Sequence, residues 1–266
     1  MQSTDTLPTP LSPEHLLLVR PVLNGHRLLE ITALSVVLTL CACLLFRLAE
    51  CLSFGDVVHD PLFATRYWGW AIAGGLLGYV SADFGSGLFH WMADRFGTER
   101  TPYWGRHFVR PFRQHHVDPK EITRHDFIET NGNTAILLFP VTAALVFLLS
   151  NQNASNGHVL GLAAALSFSV FGFVTNQIHQ WAHADHAPGL VQILQRAGII
   201  LAPKHHDIHH THPHATHYCI TAGQLNGLLR SVHFFEVMEW LAWKVLGIKA
   251  AEGGEDAERL ALHGNE

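Results

Sequence analysis

The 266-residue chain predicts an all-α fold: an integral membrane helical bundle of about four transmembrane helices beneath a cytoplasmic, histidine-rich cap. Three observations carry this expectation. Apolar residues make up 48% of the chain against 15% charged, an oily composition for a domain bathed in water. Four apolar stretches approach or exceed the ~20 residues that cross a hydrocarbon core. The 21 histidines nearly equal the 22 acidic residues, and because an unpaired buried imidazole is costly, such a number points to ligands or to proton handling.

In chain order, residues 1–27 begin polar and rich in Pro, Thr and Ser. They lack the basic start, short apolar run and small-residue cleavage site of a signal peptide, so a disordered or interfacial segment is expected. Residues 28–250 form one domain whose spans are predicted near 28–52, 67–92, 134–150 and 158–181. The third span is the shortest and contains Pro140, which leaves a re-entrant segment as the alternative to a kinked crossing. Between the second and third spans, residues 93–133 are rich in Arg, His, Pro and aromatic side chains, among them Trp104, His107, Phe108, Phe112 and Phe127. That composition reads as an ordered cap, not a linker. Residues 251–266 turn acidic and small and read as a tail.

Charge sets the expected orientation. With four crossings, the N-terminal segment, the 93–133 loop and the C-terminal region share one face, and they hold fifteen of the 17 Lys and Arg. Arg66 lies on the other face, and Arg47 is close enough to it to snorkel, so the histidine-bearing side and both termini are expected in the cytoplasm. A net charge of −5 without a long basic run excludes a nucleic-acid partner. Cys41, Cys43, Cys51 and Cys219 form no C-x-x-C pair and read as small hydrophobes. Neither a glycine-rich dinucleotide fingerprint nor a haem or iron–sulfur cysteine spacing is present, so any redox chemistry needs an external electron donor.

The chemistry lies in the histidine pattern. His205-His206-Asp207-Ile208-His209-His210 pairs its histidines at i, i+4 if helical, and directs more imidazoles than one tetrahedral zinc can use. His179 and His183 stand four apart at the end of the fourth span, with His186 beyond them. His90 and Asp94 repeat that spacing at the end of the second. The cap adds His115 and His116 ahead of Val117-Asp118-Pro119, where a helix should stop. His125, Asp126 and Glu129 precede Asn131-Gly132-Asn133 and are open to three readings: ligands, partners that orient ligands, or an ordinary helix end before a turn. His212, His214 and His217, interrupted by Pro213, are expected around the site or at its entrance. Ten positions, His90, Asp94, His115, His116, His179, His183, His205, His206, His209 and His210, suffice for two metal ions. This set is richer in histidine than the soluble helix-bundle di-iron sites. A metal transporter or metal-binding scaffold is the rival from another class, but transporter ligands belong near mid-membrane and these belong to helix ends and loops.

Five stretches carry a resemblance: Arg110–Pro119 (RPFRQHHVDP), Arg124–Gly132 (RHDFIETNG), Thr175–His183 (TNQIHQWAH), Pro203–His214 (PKHHDIHHTHPH) and Tyr218–Asn226 (YCITAGQLN). Over roughly residues 67–245 the chain resembles the plasmanylethanolamine desaturases, the Kua or CarF-type membrane desaturases. The resemblance implies a metal site at His90, Asp94, His115, His116, His125, His179, His183, His205, His206, His209 and His210, holding two iron ions with O2 as co-substrate. It implies removal of two hydrogens from C1 and C2 of the sn-1 alkyl chain of an ether phospholipid, giving the 1-alkenyl ether of plasmalogens. Electrons would arrive from a cytochrome b5, ferredoxin or reductase partner. A related plant branch acts on an acyl chain of phosphatidylglycerol, so an acyl-lipid desaturase or hydroxylase is the alternative. Arg106, Arg110, Arg113 and Lys204 would either hold the lipid headgroup or serve only as topology determinants.

Overall fold

The computed structural model describes residues 25–54 and 61–251. The expected N-terminal segment up to residue 24 and the acidic tail from residue 252 lie outside the described residues, as does the side chain of Arg66. Every regular element among the described residues is helical. Four long helices form the bundle: α1 (Gly25–Phe54), α2 (Pro61–Arg95), α4 (Phe127–Ser150) and α5 (Asn156–His183). The cap is built from α3 (Arg110–Val117), α6 (Gly189–Arg196), α7 (Pro203–His206), α8 (Asn226–Ser231) and α9 (Phe234–Leu246).

Among the described residues, three helices are long and apolar enough to cross a membrane: Gly25–Ser53, Phe127–Ser150 and Asn156–His183. The expected second span falls within α2, whose 35 residues reach roughly 50 Å but whose hydropathy is lower. The reason is packing. α2 spends many positions on glycine, and these meet α5 backbone to backbone: a Cβ added at Gly74 would lie 2.3 Å from the Leu160 carbonyl oxygen, and one at Gly78 would lie 2.2 Å from that of Ala164. Small residues four apart are a common way for membrane helices to approach closely. α2 therefore trades apolar side chains for close approach to α5.

The successive pairs Gly74–Leu160, Gly78–Ala164 and His90–His179 run in the same direction, so α2 and α5 are parallel and end together. α1 and α4 are parallel by the same argument: Arg27 pairs with Asp126, Glu30 packs against Gly132, and an Arg47 guanidinium donates to the Ser150 carbonyl. α4 and α5 form an antiparallel hairpin, with Asn131 against Gln177 near one end and Thr142 against Ser169 further along. The C-terminal ends of α2 and α5 and the N-terminal ends of α1 and α4 thus gather beneath the cap. Two apolar clusters hold the bundle, one around Leu44, Tyr67, Val159 and Leu162, the other around Leu34, Val37, Ala135 and Phe173. Leu38, Leu45, Phe46, Leu76, Leu77, Phe147 and Leu148 point outward, as suits a surface that lipid covers.

Helix ends follow the local chemistry. α4 begins at residue 127, ahead of the predicted 134, because the Asp126 carboxylate caps it by accepting from the Ile128 and Glu129 N–H groups at 2.9 Å. The helix continues through Pro140 to Ser150. Ser155 caps α5 through the His158 N–H at 3.1 Å. α3 ends at Val117, before Asp118-Pro119. The 93–133 region is ordered, with a π-helical turn at Gly105–Val109, α3 and a 3-10 turn at Glu121–Arg124.

Candidate metal centre

Nine of the eleven positions that the sequence nominates as metal ligands come together in two adjacent groups. His115, His179, His183, His206 and His210 form the first; His90, Asp94, His116 and His209 form the second. Within each group the ligand atoms lie within 4.8 Å of one another. α2 delivers His90 and Asp94, α5 delivers His179 and His183, and α3 delivers His115 and His116 to different groups. Neighbours in sequence on a helix point about 100° apart, which is why α3 can serve both. The 206–210 turn does the same, with His206 and His210 in the first group and His209 in the second.

The geometry fits metal ions. In the first group the Nε2 atoms of His179 and His206 lie 2.8 Å apart, while His210 Nε2 is 3.0 Å from both His115 Nε2 and His206 Nε2. In the second, His116 Nε2 and His209 Nε2 are 3.0 Å apart. Ligands at right angles on a metal at about 2.1 Å are separated by about 3.0 Å, so these spacings match the edges of a coordination polyhedron. Lone pairs converging at such distances repel unless a cation lies among them. Both carboxylate oxygens of Asp94 are buried without a hydrogen bond, although His90, His116 and His209 bring Nε2 atoms to 3.3–3.6 Å from one of them. An uncompensated buried carboxylate costs several kcal/mol, and a divalent cation removes that cost. Imidazole with one carboxylate suits iron, zinc or copper.

Burial also keeps the rings in their ligating form. His115, His116 and His206 are pushed well below the usual imidazole range by desolvation and then by neighbouring histidines. His210 falls to about 2 and His214 to about 4 for the same reasons. Neutral imidazoles offer lone pairs without a proton to displace. Two ligands are also oriented from behind. His90 Nδ1 donates to the Tyr218 carbonyl at 3.1 Å and His209 Nδ1 to the Thr216 carbonyl at 2.7 Å, which leaves each Nε2 bare. His214 stacks on His116 with ring centroids 4.4 Å apart.

Other nominated residues fall elsewhere. His205 lies outside both groups: its Nε2 is 3.1 Å from Asn226 Nδ2 and its ring packs beside His217. The expected i, i+4 partnership of His205 with His209 does not form, because α7 ends at His206 and the chain continues in tighter turns. His125 also lies outside, 3.7 Å from Glu129, and Asp126 serves as the cap of α4. Arg113, one of the expected headgroup residues, is buried and donates to the Asp94 and Gly97 carbonyls at 3.2 Å. Lys204 is exposed. Lys120, not nominated from the sequence, ties down the end of α5 by donating to the His183 carbonyl at 2.8 Å and pairing with Asp185.

A cavity of about 860 Å³ opens beside the first group. Arg106, His107 and Arg110 line it together with Glu121, His125 and Glu129; His115 and His179 also face it; Leu137, Leu138, Val141 and Phe168 supply apolar lining. Charged side chains of the cap, two histidines of the first group and apolar side chains of the bundle thereby line one space.

The fold and site define the class: a helical membrane protein with two adjacent histidine-rich groups that could each hold a metal ion at one end of its bundle. The lipid desaturase domain family matches residues 79–252. The chain is 43% identical over 207 residues to plasmanylethanolamine desaturase of Myxococcus xanthus, covering 74% of this chain and 73% of that protein. It is 41% identical over 194 residues to plasmanylethanolamine desaturase 1 of Mus musculus, with 72% and 69% covered. Chloroplastic fatty acid desaturase 4 of Arabidopsis thaliana is 33% identical over 183 residues, with 68% and 54% covered. No solved structure matches the chain. The chain belongs to the lipid desaturase domain family, in its plasmanylethanolamine desaturase group. It is an oxidoreductase, a membrane lipid desaturase.

Proposed function

We propose that this desaturase acts on ether phospholipids, introducing the 1-alkenyl double bond into the sn-1 alkyl chain and so converting plasmanylethanolamine to plasmenylethanolamine. The observation that carries the reading is the cavity, which is lined by charged cap residues, by His115 and His179, and by apolar residues of the bundle. Two relatives above 40% identity are named for this substrate, which supports the same choice. The nine clustered side chains would hold two iron ions, with His90, Asp94, His115, His116, His179, His183, His206, His209 and His210 as ligands. Bound iron supplies the O2-dependent oxidation that an unactivated C–H bond requires, consuming two electrons from an external donor.

The chain's own residues do the rest. Arg106 and Arg110, exposed where the cavity meets the cap, hold the phosphate at the membrane surface. Phe89, Phe108 and Phe112 form an apolar wall that excludes water and directs the alkyl chain past His115 and His179. Leu137, Leu138, Val141 and Phe168 receive the rest of the chain. The basic residues of the cap support a cytoplasmic position for this face, where a soluble or membrane-bound electron donor would reach it.

The test is lipid mass spectrometry on cells lacking plasmalogens, supplied with ether lipid and expressing the parent protein or its His209→Ala variant. Acid-labile vinyl ether is expected with the parent alone. Its absence from cells whose parent protein is folded, iron-loaded and supplied with reductant refutes the ether-lipid reading. The chloroplastic fatty acid desaturase among the relatives then makes acyl-lipid desaturation the next assay.

A further inference from the structure

Residues 216–225 cross the cap as an irregular strap between α2 and α5, and Tyr218, Cys219, Ile220, Thr221 and Ala222 within it are buried. Buried irregular backbone must find hydrogen-bond partners, and here side chains supply them. Asp83, a carboxylate in the apolar body of α2 and only 1% exposed, accepts from the Ala222 and Gly223 N–H groups at 2.8 Å and from Leu225 N–H at 3.2 Å. Ser86, one turn along, accepts from Ile220 N–H at 3.1 Å. Asn226 grips both backbone groups of Cys219, accepting from its N–H at 2.9 Å and donating to its carbonyl at 3.0 Å. Two of the strap's carbonyls, at Thr216 and Tyr218, receive the Nδ1–H groups of His209 and His90.

Both of those histidines belong to the group with Asp94 and His116. Among the described residues, Nδ1 of His115, His206 and His210 in the other group has no hydrogen-bond partner in the protein. The strap's carbonyls therefore hold imidazoles of one group, whereas its contacts on the side of the other, from Thr221 to Thr175 at 2.7 Å and to the Leu201 N–H at 3.0 Å, go to residues outside both groups.

We propose that Asp83, Ser86 and Asn226 are positioning residues for the metal ion held by His90, Asp94, His116 and His209, acting through the Thr216 and Tyr218 carbonyls, while the five-histidine ion is set independently. The proposal rests on the two-metal reading of the site. Loosening the strap frees the two rings to rotate and weakens one ion selectively. Outer partners of metal-bound histidine commonly tune affinity by about 10–100-fold.

The test is anaerobic titration of metal-free, nanodisc-reconstituted full-length protein with Fe(II), counting bound iron per chain and fitting the two affinities. Asp83→Asn places an amide N–H against the Leu225 N–H; Ser86→Ala removes one acceptor and is the milder perturbation. Both are checked for folding by circular dichroism and thermal melting. The expected result is two sites in the parent, and in each folded variant one site weakened about tenfold or more with the other unchanged. Two unchanged sites in a folded variant, or equal weakening of both, overturns the proposal. A parent that binds no iron overturns the two-metal reading as well. If Asp83→Asn does not fold, Ser86→Ala alone decides.

Discussion

The approach of α2 to α5 makes one substitution unusually informative. A Cβ placed at Gly78 would lie 2.2 Å from the Ala164 carbonyl oxygen and 2.8 Å from the Phe168 nitrogen, both backbone atoms that cannot rotate away. An ordinary C···O contact is about 3.3 Å or more, so Gly78→Ala must push the helices apart by about 1 Å. Overpacking of this kind costs about 1–3 kcal/mol. The functional cost is larger, because α2 carries His90 and Asp94, α5 carries His179 and His183, and ligand distances tolerate only about 0.2 Å. Gly75 is the control: a Cβ there meets nothing within 4 Å, so Gly75→Ala should be neutral or stabilising by up to ~1 kcal/mol through helix propensity. The assay is thermal melting in nanodiscs alongside iron content and vinyl-ether production. Gly78→Ala is expected to melt lower and lose most iron and activity, while Gly75→Ala keeps all three. If the two variants behave alike, the close packing of α2 on α5 is not what holds the ligands in register.

Two other outcomes follow from the site. His205→Gln, which retains a polar group facing Asn226, should leave iron stoichiometry at the parent value, whereas His206→Ala should lose iron; elemental analysis of purified protein separates them, and iron loss in His205→Gln would return that residue to the ligand set. Metal-free protein should become less stable as pH falls: His214 and His217 are lowered to about 4 by burial, so between ~6.5 and 4 the unfolded chain binds protons that the folded chain refuses. Their contribution is fully present above the unfolded value and lost on acidification, so the melting temperature of the metal-free form should drop between pH 7 and pH 5. A flat or rising profile would contradict the neutral, buried state of these rings.

Much of the site is legible in the primary structure because i, i+4 spacing on a helix fixes a shared face whatever the helix packs against. His90 with Asp94 and His179 with His183 obey this, and so do His206 and His210 across the end of α7. The same rule misplaces His205, since it assumes a helix continuing past His206 where the chain turns more tightly. It gives no account of His125, whose pairing with Glu129 at a helix start satisfies the same spacing without a metal. Asp83 and Asn226 escape a search for ligands because their partners are backbone groups distant in sequence. A carboxylate inside an apolar helix was the available signal for Asp83, since such a charge persists only where it has partners.

Composition and periodicity by themselves determined that this is a helical membrane protein with histidines gathered at its helix ends, because hydropathy and helical phase are local properties of the chain. Only the tertiary structure decided how nine candidate ligands divide into two groups, why α2 is poor in apolar side chains, and which cap arginines face the cavity and which one is buried against carbonyls. Each of these depends on contacts between residues up to 128 positions apart, as His90 and Tyr218 are, and no local pattern encodes which distant backbone carbonyl a side chain will meet.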